Sequence, residues 1–275
     1  MSQQPILYET HMHTPLCKHA TGQPEDYAAV AEKRGLKGII VTCHNPVTNG
    51  WATRYRMDLD QFDDYLAMVS RAQQAWAGRV DVRLGLESDY YPGAETWLAK
   101  LHDKAEFHHI LGSVHSLLPD YKQRYFNGTL EGYYRTHFNH LAMAAESKLF
   151  DTLAHPDLIK ILEPEAWDVN IVLDEVRRSL DRIAKTDVAM ELNTSGLNKP
   201  LAEMHPSATI LAEMCKREIP VVVGADAHEP GRVAANFKDA LELLKTVGYR
   251  HTNIVLNRQR HPVEIDTAIE SLGSA

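Results

Sequence analysis

The feature that most constrains this chain is a recurring pair of signals: an apolar run ending in a histidine or carboxylate, then a helix-forming segment. Ile6-Leu7-Tyr8 closes on His11-Met12-His13, Val41-Thr42-Cys43 on His44, and Arg83-Leu84-Gly85-Leu86 on Glu87. Ile110-Leu111-Gly112-Ser113-Val114 leads into His115, Thr152-Leu153-Ala154 into His155, and Val221-Val222-Val223-Gly224-Ala225 into Asp226-Ala227-His228. Alternate residues of a strand share a face, so His11 and His13 can bind one ion together. Ionisable groups that repeatedly follow buried strands need partners, because burial without one is costly. Neutral imidazole and carboxylate suit zinc, manganese and iron. One coordination sphere cannot use them all, which implies more than one metal.

Strand signals fall over residues 6–10, 38–43, 80–86, 109–114, 152–154, 188–192 and 220–224, with a short last strand at 252–256. Helix signals alternate with them over 25–33, 60–76, 92–104, 130–147, 169–185, 207–217, 233–247 and 262–272. Pro24 suits a first helical turn, Gly35 a helix end, and Pro262 is read as another first-turn proline. Residues 45–56 and 116–128 read as irregular. Such alternation implies parallel pairing with right-handed crossovers. Seven or eight units in this length predict an α/β fold, a distorted seven-stranded TIM-like β/α barrel whose strand ends converge on one mouth. An open doubly wound sheet is the alternative and would scatter the ionisable residues along an edge. No linker-like stretch divides the chain, so residues 1–275 read as a single domain.

Composition excludes several partners. The formal net charge is −8 with no long basic run, which argues against a nucleic acid polymer. No run approaches the ~18 apolar residues of a membrane span. Residues 1–5 lack the basic and apolar regions of a signal peptide. Three cysteines give no disulfide framework and fit a reducing cytosol, so a cytoplasmic protein is expected. Cys17 and Cys43 read as small buried thiols beside the ligands. His137 and His140, three apart on a helix, read as surface residues on the outside of the barrel.

The segments His11-Met12-His13-Thr14-Pro15, Gly85-Leu86-Glu87-Ser88-Asp89-Tyr90, Gly112-Ser113-Val114-His115, Leu153-Ala154-His155-Pro156-Asp157, Glu191-Leu192-Asn193-Thr194-Ser195-Gly196 and Gly224-Ala225-Asp226-Ala227-His228 occur in that order. Together they resemble the PHP family of metal-dependent phosphoesterases, and within it the histidinol-phosphatase branch. The resemblance implies two to three divalent ions (zinc, manganese or iron). Carried over by motif, His11, His13, Glu87 and Asp226 hold the first, and His19, His44 and His228 the second. Glu87, His115 and His155 hold the third, with Glu87 bridging. His19 lies in a loop and comes from the resemblance alone. The implied reaction is hydrolysis of a small phosphorylated metabolite, L-histidinol phosphate to L-histidinol and phosphate, with Glu87, Asp226 and His228 in catalytic roles. A nucleotide or cyclic phosphate is the alternative substrate. An amidohydrolase is disfavoured because no lysine stands at a strand end. Asn198 stands where histidinol phosphatases often carry an arginine, so Lys199 and Arg232 become the candidate phosphate contacts. Asn193 and Ser195 are candidates to hydrogen-bond substrate, and Asp89 to meet its ammonium.

Overall fold

The computed structural model describes residues 4–272; residues 1–3, part of the N-terminal segment read above, and 273–275 lie outside the described residues. The apolar runs form β1 (Tyr8–Glu9), β2 (Gly38–Val41), β3 (Asp81–Asp89), β4 (His109–Ser113), β5 (Thr152–Leu153), β6 (Ala189–Asn193), β7 (Val221–Gly224), β8 (His251–Leu256) and β9 (Gln259–Glu264). Between and after them lie α1 (Pro24–Lys33), α2 (Phe62–Ala75), α3 (Glu95–His102), α4 (Pro119–Tyr125), α5 (Leu130–Glu146), α6 (Val169–Ile183), α7 (Ala208–Cys215), α8 (Phe237–Val247) and α9 (Ile265–Ser271). The strands form one sheet in sequence order, β1 to β9. Strands β1 to β8 pair in parallel, and β9 returns antiparallel to β8. Parallel neighbours in sequence order need a crossover after each strand, and the helices supply it. Each helix turns an apolar stripe inward; α2 buries Phe62, Tyr65, Val69 and Ala72.

The sheet closes on itself. Beyond the ends of β1 and β7, Met12 pairs with Ala227: His13 N donates to Ala227 O at 2.9 Å and Ala227 N to His11 O at 3.0 Å. Lower down, β7 pairs instead with β8, through Val222 and Asn253. The barrel is therefore distorted, with β1 beside the upper part of β7 and β8 beside the lower part. The turn of the β8–β9 hairpin reaches to the segments that precede β4, β5 and β6. Arg258 N donates to His108 O at 2.9 Å, while Arg258 and Arg260 pair with Asp151 and Asp187 at 2.5 and 2.9 Å.

Several boundaries depart from the sequence expectation; β3 runs on to Asp89 and α3 begins at Glu95, not Pro92. Pro262 sits in β9 and not in a helix; it opposes Asn253 on an edge strand, where a missing N–H is tolerated. The last helix begins at Ile265, with Glu264 capping Thr267 N at 2.9 Å. Helix α8 begins at Phe237, not Val233, because Ala234 and Asn236 adopt left-handed backbone (φ 52° and 61°). The stretch 116–128 is not wholly irregular, since Pro119 opens the seven-residue α4.

Candidate metal centre

Every ligand position read from the strand ends arrives at the same mouth of the barrel. Glu87, near the end of β3, is fully buried and stands at the centre. Its Oε2 lies 3.6 Å from His11 Nε2, 3.6 Å from His13 Nε2 and 2.5 Å from His44 Nδ1. Its Oε1 lies 3.4 Å from His115 Nε2 and 3.0 Å from His155 Nε2. Asp226 Oδ1 lies 3.1 Å from His13 Nε2 and 3.6 Å from His11 Nε2. His19, carried into reach by left-handed Lys18 (φ 70°), brings its Nε2 within 2.9 Å of His228 Nε2.

The rings are aimed by contacts on their far sides. His11 Nδ1 lies 2.8 Å from Glu191 Oε1, so its Nε2 lone pair faces the centre. The other Glu191 oxygen accepts His155 N at 2.8 Å and Asn193 Nδ2 at 2.9 Å. Room for that carboxylate depends on Gly224, whose added Cβ would overlap Glu191 Oε1 and lie 2.9 Å from His11 Cβ. His115 Nδ1 contacts Asp89 Oδ1 at 2.5 Å, His19 Nδ1 contacts Cys17 O at 2.7 Å, and His228 Nδ1 contacts Asp226 O at 3.0 Å. Such outer partners fix the tautomer and orientation of metal-binding imidazoles. Glu9 ties the closing seam beneath them, accepting Ala225 N at 2.9 Å, Ala234 N at 2.6 Å and His11 N at 3.1 Å. His155 (φ 27°) and Asp226 (φ 49°) are held in left-handed backbone, which costs a non-glycine residue on the order of 1–3 kcal/mol and clusters at functional sites.

The donor set fits cations. His11 Nε2 is buried with no hydrogen-bond partner, and Glu87 Oε2 is buried with only imidazole nitrogens against it. Burial alone would raise the Glu87 carboxyl, but His44, His115 and His11 hold it well below its usual range. Burial opposes charge on His11 too, yet Glu191, Asp226 and Glu87 push its imidazole well above the ordinary value. The centre therefore attracts positive charge, which divalent ions supply.

Beside the centre lies a cavity of about 340 Å³, lined by ligands, by Arg56 and Lys199, and by an apolar wall. The expected substrate contacts divide. Lys199 lines this cavity, whereas Arg232 is not among its lining residues and ends a short turn with Pro230. Asp89 is engaged by its neighbours: Arg56 binds it through Nε at 2.9 Å and Nη2 at 2.6 Å, Trp51 Nε1 at 3.2 Å, and His115 Nδ1 at 2.5 Å. Asn193 is fully buried, holding Glu191 and accepting Ser195 N at 2.9 Å. Ser195 Oγ donates to Asp226 Oδ2 at 3.3 Å. His137 and His140 are not surface residues. They are buried against Ser116 and Tyr121, at 2.6 and 2.5 Å.

The PHP domain profile matches residues 9–195 of this chain. The chain belongs to the PHP domain family. A Deinococcus radiodurans protein named "Probable histidinol-phosphatase" is 38% identical over 250 residues, covering 89% of this PHP chain and 95% of that protein. The "Histidinol-phosphatase" of Bacillus subtilis is 26% identical over 261 residues, covering 84% and 97% respectively. The crystal structure of a Lactococcus lactis histidinol phosphate phosphatase, complexed with zinc, L-histidinol and phosphate, shares the PHP chain's fold. Its TM-score is 0.75 at 17% identity, covering 92% of this chain and 98% of that one. In the PHP chain the groups His11–His13–Asp226, His19–His44–His228 and His11–Glu87–His155 each bring one ligand atom per residue within 4.8 Å of the others, so each could hold an ion.

Proposed function

We propose that this PHP chain is a metal-dependent phosphatase that hydrolyses L-histidinol phosphate to L-histidinol and phosphate. The observation that carries the reading is the convergence of nine ligand side chains on one mouth, beside a cavity of small-metabolite size. Full-length similarity to named histidinol-phosphatases supports the substrate. His11, His13, Glu87 and Asp226 would hold one ion, His19, His44 and His228 a second, and Glu87, His115 and His155 a third, with Glu87 shared. Zinc, manganese and iron all suit these ligands. Bound there, such ions lower the pKa of water, orient the phosphoryl group and neutralise charge on its oxygens.

The chain's own residues do the rest. Glu87 fixes the spacing of the ligands around it. Lys199, with no ion pair among the described residues, offers a mobile cation to the phosphoryl oxygens. Asp226 and His228 line the cavity and stand within reach of the leaving oxygen as it gains its proton. Asn193 and Ser195 act one step back, by orienting Glu191 and Asp226. No helix among the described residues is long and apolar enough to cross a membrane. The sparse free cysteines support a cytoplasmic enzyme acting on a small metabolite.

The test is a phosphatase screen of the metal-reconstituted protein over some dozens of phosphomonoesters. L-Histidinol phosphate is expected to give the highest kcat/KM. A ~100-fold preference for another ester, worth about 2.7 kcal/mol in the transition state, overturns the histidinol assignment and leaves a phosphatase. Hydrolysis of none of them overturns the reading altogether.

A further inference from the structure

The cavity is lined by imidazoles, by two cations and by apolar side chains, and Asp226 is the only carboxylate among its lining residues. Asp226 is already engaged by His13 and Ser195. Asp89, set by sequence against a substrate ammonium, is occupied by Arg56, Trp51 and His115. The lining also includes the apolar side chains Leu117, Leu158 and Ile161, together with Tyr55. Tyr55 remains 40% exposed, which is rare for a large apolar residue of this chain. Its backbone is pinned: Tyr55 N donates to Ala52 O at 2.9 Å, and Arg56 Nη1 donates to Tyr55 O at 2.8 Å. Its ring meets His19 edge-on, with centroids 5.6 Å apart. The ring is therefore a partly exposed aromatic surface, carried on a pinned backbone beside the candidate ligands.

An ammonium entering this cavity finds no free carboxylate. A flat ring finds an aromatic partner and apolar side chains for its faces, the environment in which ring contacts add to area burial. Building on the phosphatase reading above, we propose that this chain recognises its phosphate ester through a flat ring on the leaving group, packed on Tyr55 and on the apolar lining of Leu117, Leu158 and Ile161. The substrate's amine stays in solvent. Tyr55 is then a specificity-determining residue.

The test compares kcat/KM on the metal-loaded protein for three esters. These are L-histidinol phosphate, imidazolyl-propyl phosphate (the same skeleton without the amine) and alaninol phosphate (the amine without the ring). Losing the amine should cost no more than about threefold, and losing the ring about thirtyfold or more, within the range that one apolar group commands in a pocket. Tyr55→Ala should lower the value for L-histidinol phosphate roughly tenfold more than that for alaninol phosphate, the size of one aromatic contact. Tyr55→Phe should restore it. If removing the amine costs as much as removing the ring, or if Tyr55→Ala lowers both esters equally, the inference is overturned while the phosphatase reading stands. If none of the three is hydrolysed, the histidinol phosphate reading falls and takes this inference with it. The three-ester comparison needs only the unaltered protein, so it decides even if a variant folds poorly.

Discussion

Asp89→Asn separates a structural carboxylate from a substrate-binding one. Asp89 is 3% exposed and Arg56 1% exposed, so the charges of this pair compensate each other away from water. An amide keeps one acceptor and turns the other into a donor facing Arg56, Trp51 and His115. Breaking a buried pair by removing one partner costs roughly 3–5 kcal/mol, because the other charge is left uncompensated. At roughly 2–4 °C per kcal/mol for a chain of this size class, the melting temperature should fall by about 6–20 °C. His115 also loses the carboxylate that fixes its Nδ1 proton, and loss of such an outer partner typically weakens metal binding about 10–100-fold. Thermal melting and a metal titration against a competing chelator read the two effects separately. Adding Arg56→Met should recover part of the lost stability by removing the stranded charge. Native melting and native metal affinity, with activity lost only on amine-bearing esters, would refute the argument and return Asp89 to the substrate.

The remaining expectations rest on the same geometry. Glu87→Gln should cut kcat at least ~100-fold at saturating metal while circular dichroism stays native, since an amide cannot replace a carboxylate shared between cations; near-native turnover refutes its shared role. Gly224→Ala should push Glu191 off His11 and weaken metal binding roughly 10–100-fold; unchanged metal affinity shows that Glu191 does not need that space. His140 is held down to about 4 by burial, so it is neutral in the fold and takes up a proton on unfolding. Its contribution is therefore complete above pH ~6.5 and is lost as pH falls towards 4, by on the order of 2–3 kcal/mol. The His140→Gln protein should lose that part of the acid slope in melting temperature, and identical slopes in both proteins contradict it.

The strands and the convergence of the candidate metal ligands were legible because both are written locally. An apolar run fixes a strand, and a barrel brings every strand end to one mouth, so His11, His13, His44, Glu87, His115, His155, Asp226 and His228 needed no long-range information. His19 was different. Its place depends on a left-handed Lys18 after a single turn, which no periodicity reveals, and only the family resemblance reached it. The spacing of Asp89 from Glu87 shows a shared strand face but not the arginine that arrives from an irregular loop 33 residues upstream. Glu9 and Glu191 carried a readable signal, a lone carboxylate in a buried strand, which implies a fixed set of donors. Pro262 looked like a helix start because a first-turn proline and an edge-strand proline satisfy the same condition, an N–H that nothing requires. His137 and His140 were set on the outer surface because helix spacing shows that two residues share a face, not what that face packs against.

The central claim is that one mouth of this barrel holds a cluster of divalent ions. Counting metal per chain by plasma mass spectrometry, after stripping and reloading the protein, tests it most directly. The account predicts two to three ions per chain, falling on Glu87→Gln. Less than one ion per chain in the fully reloaded protein would contradict it.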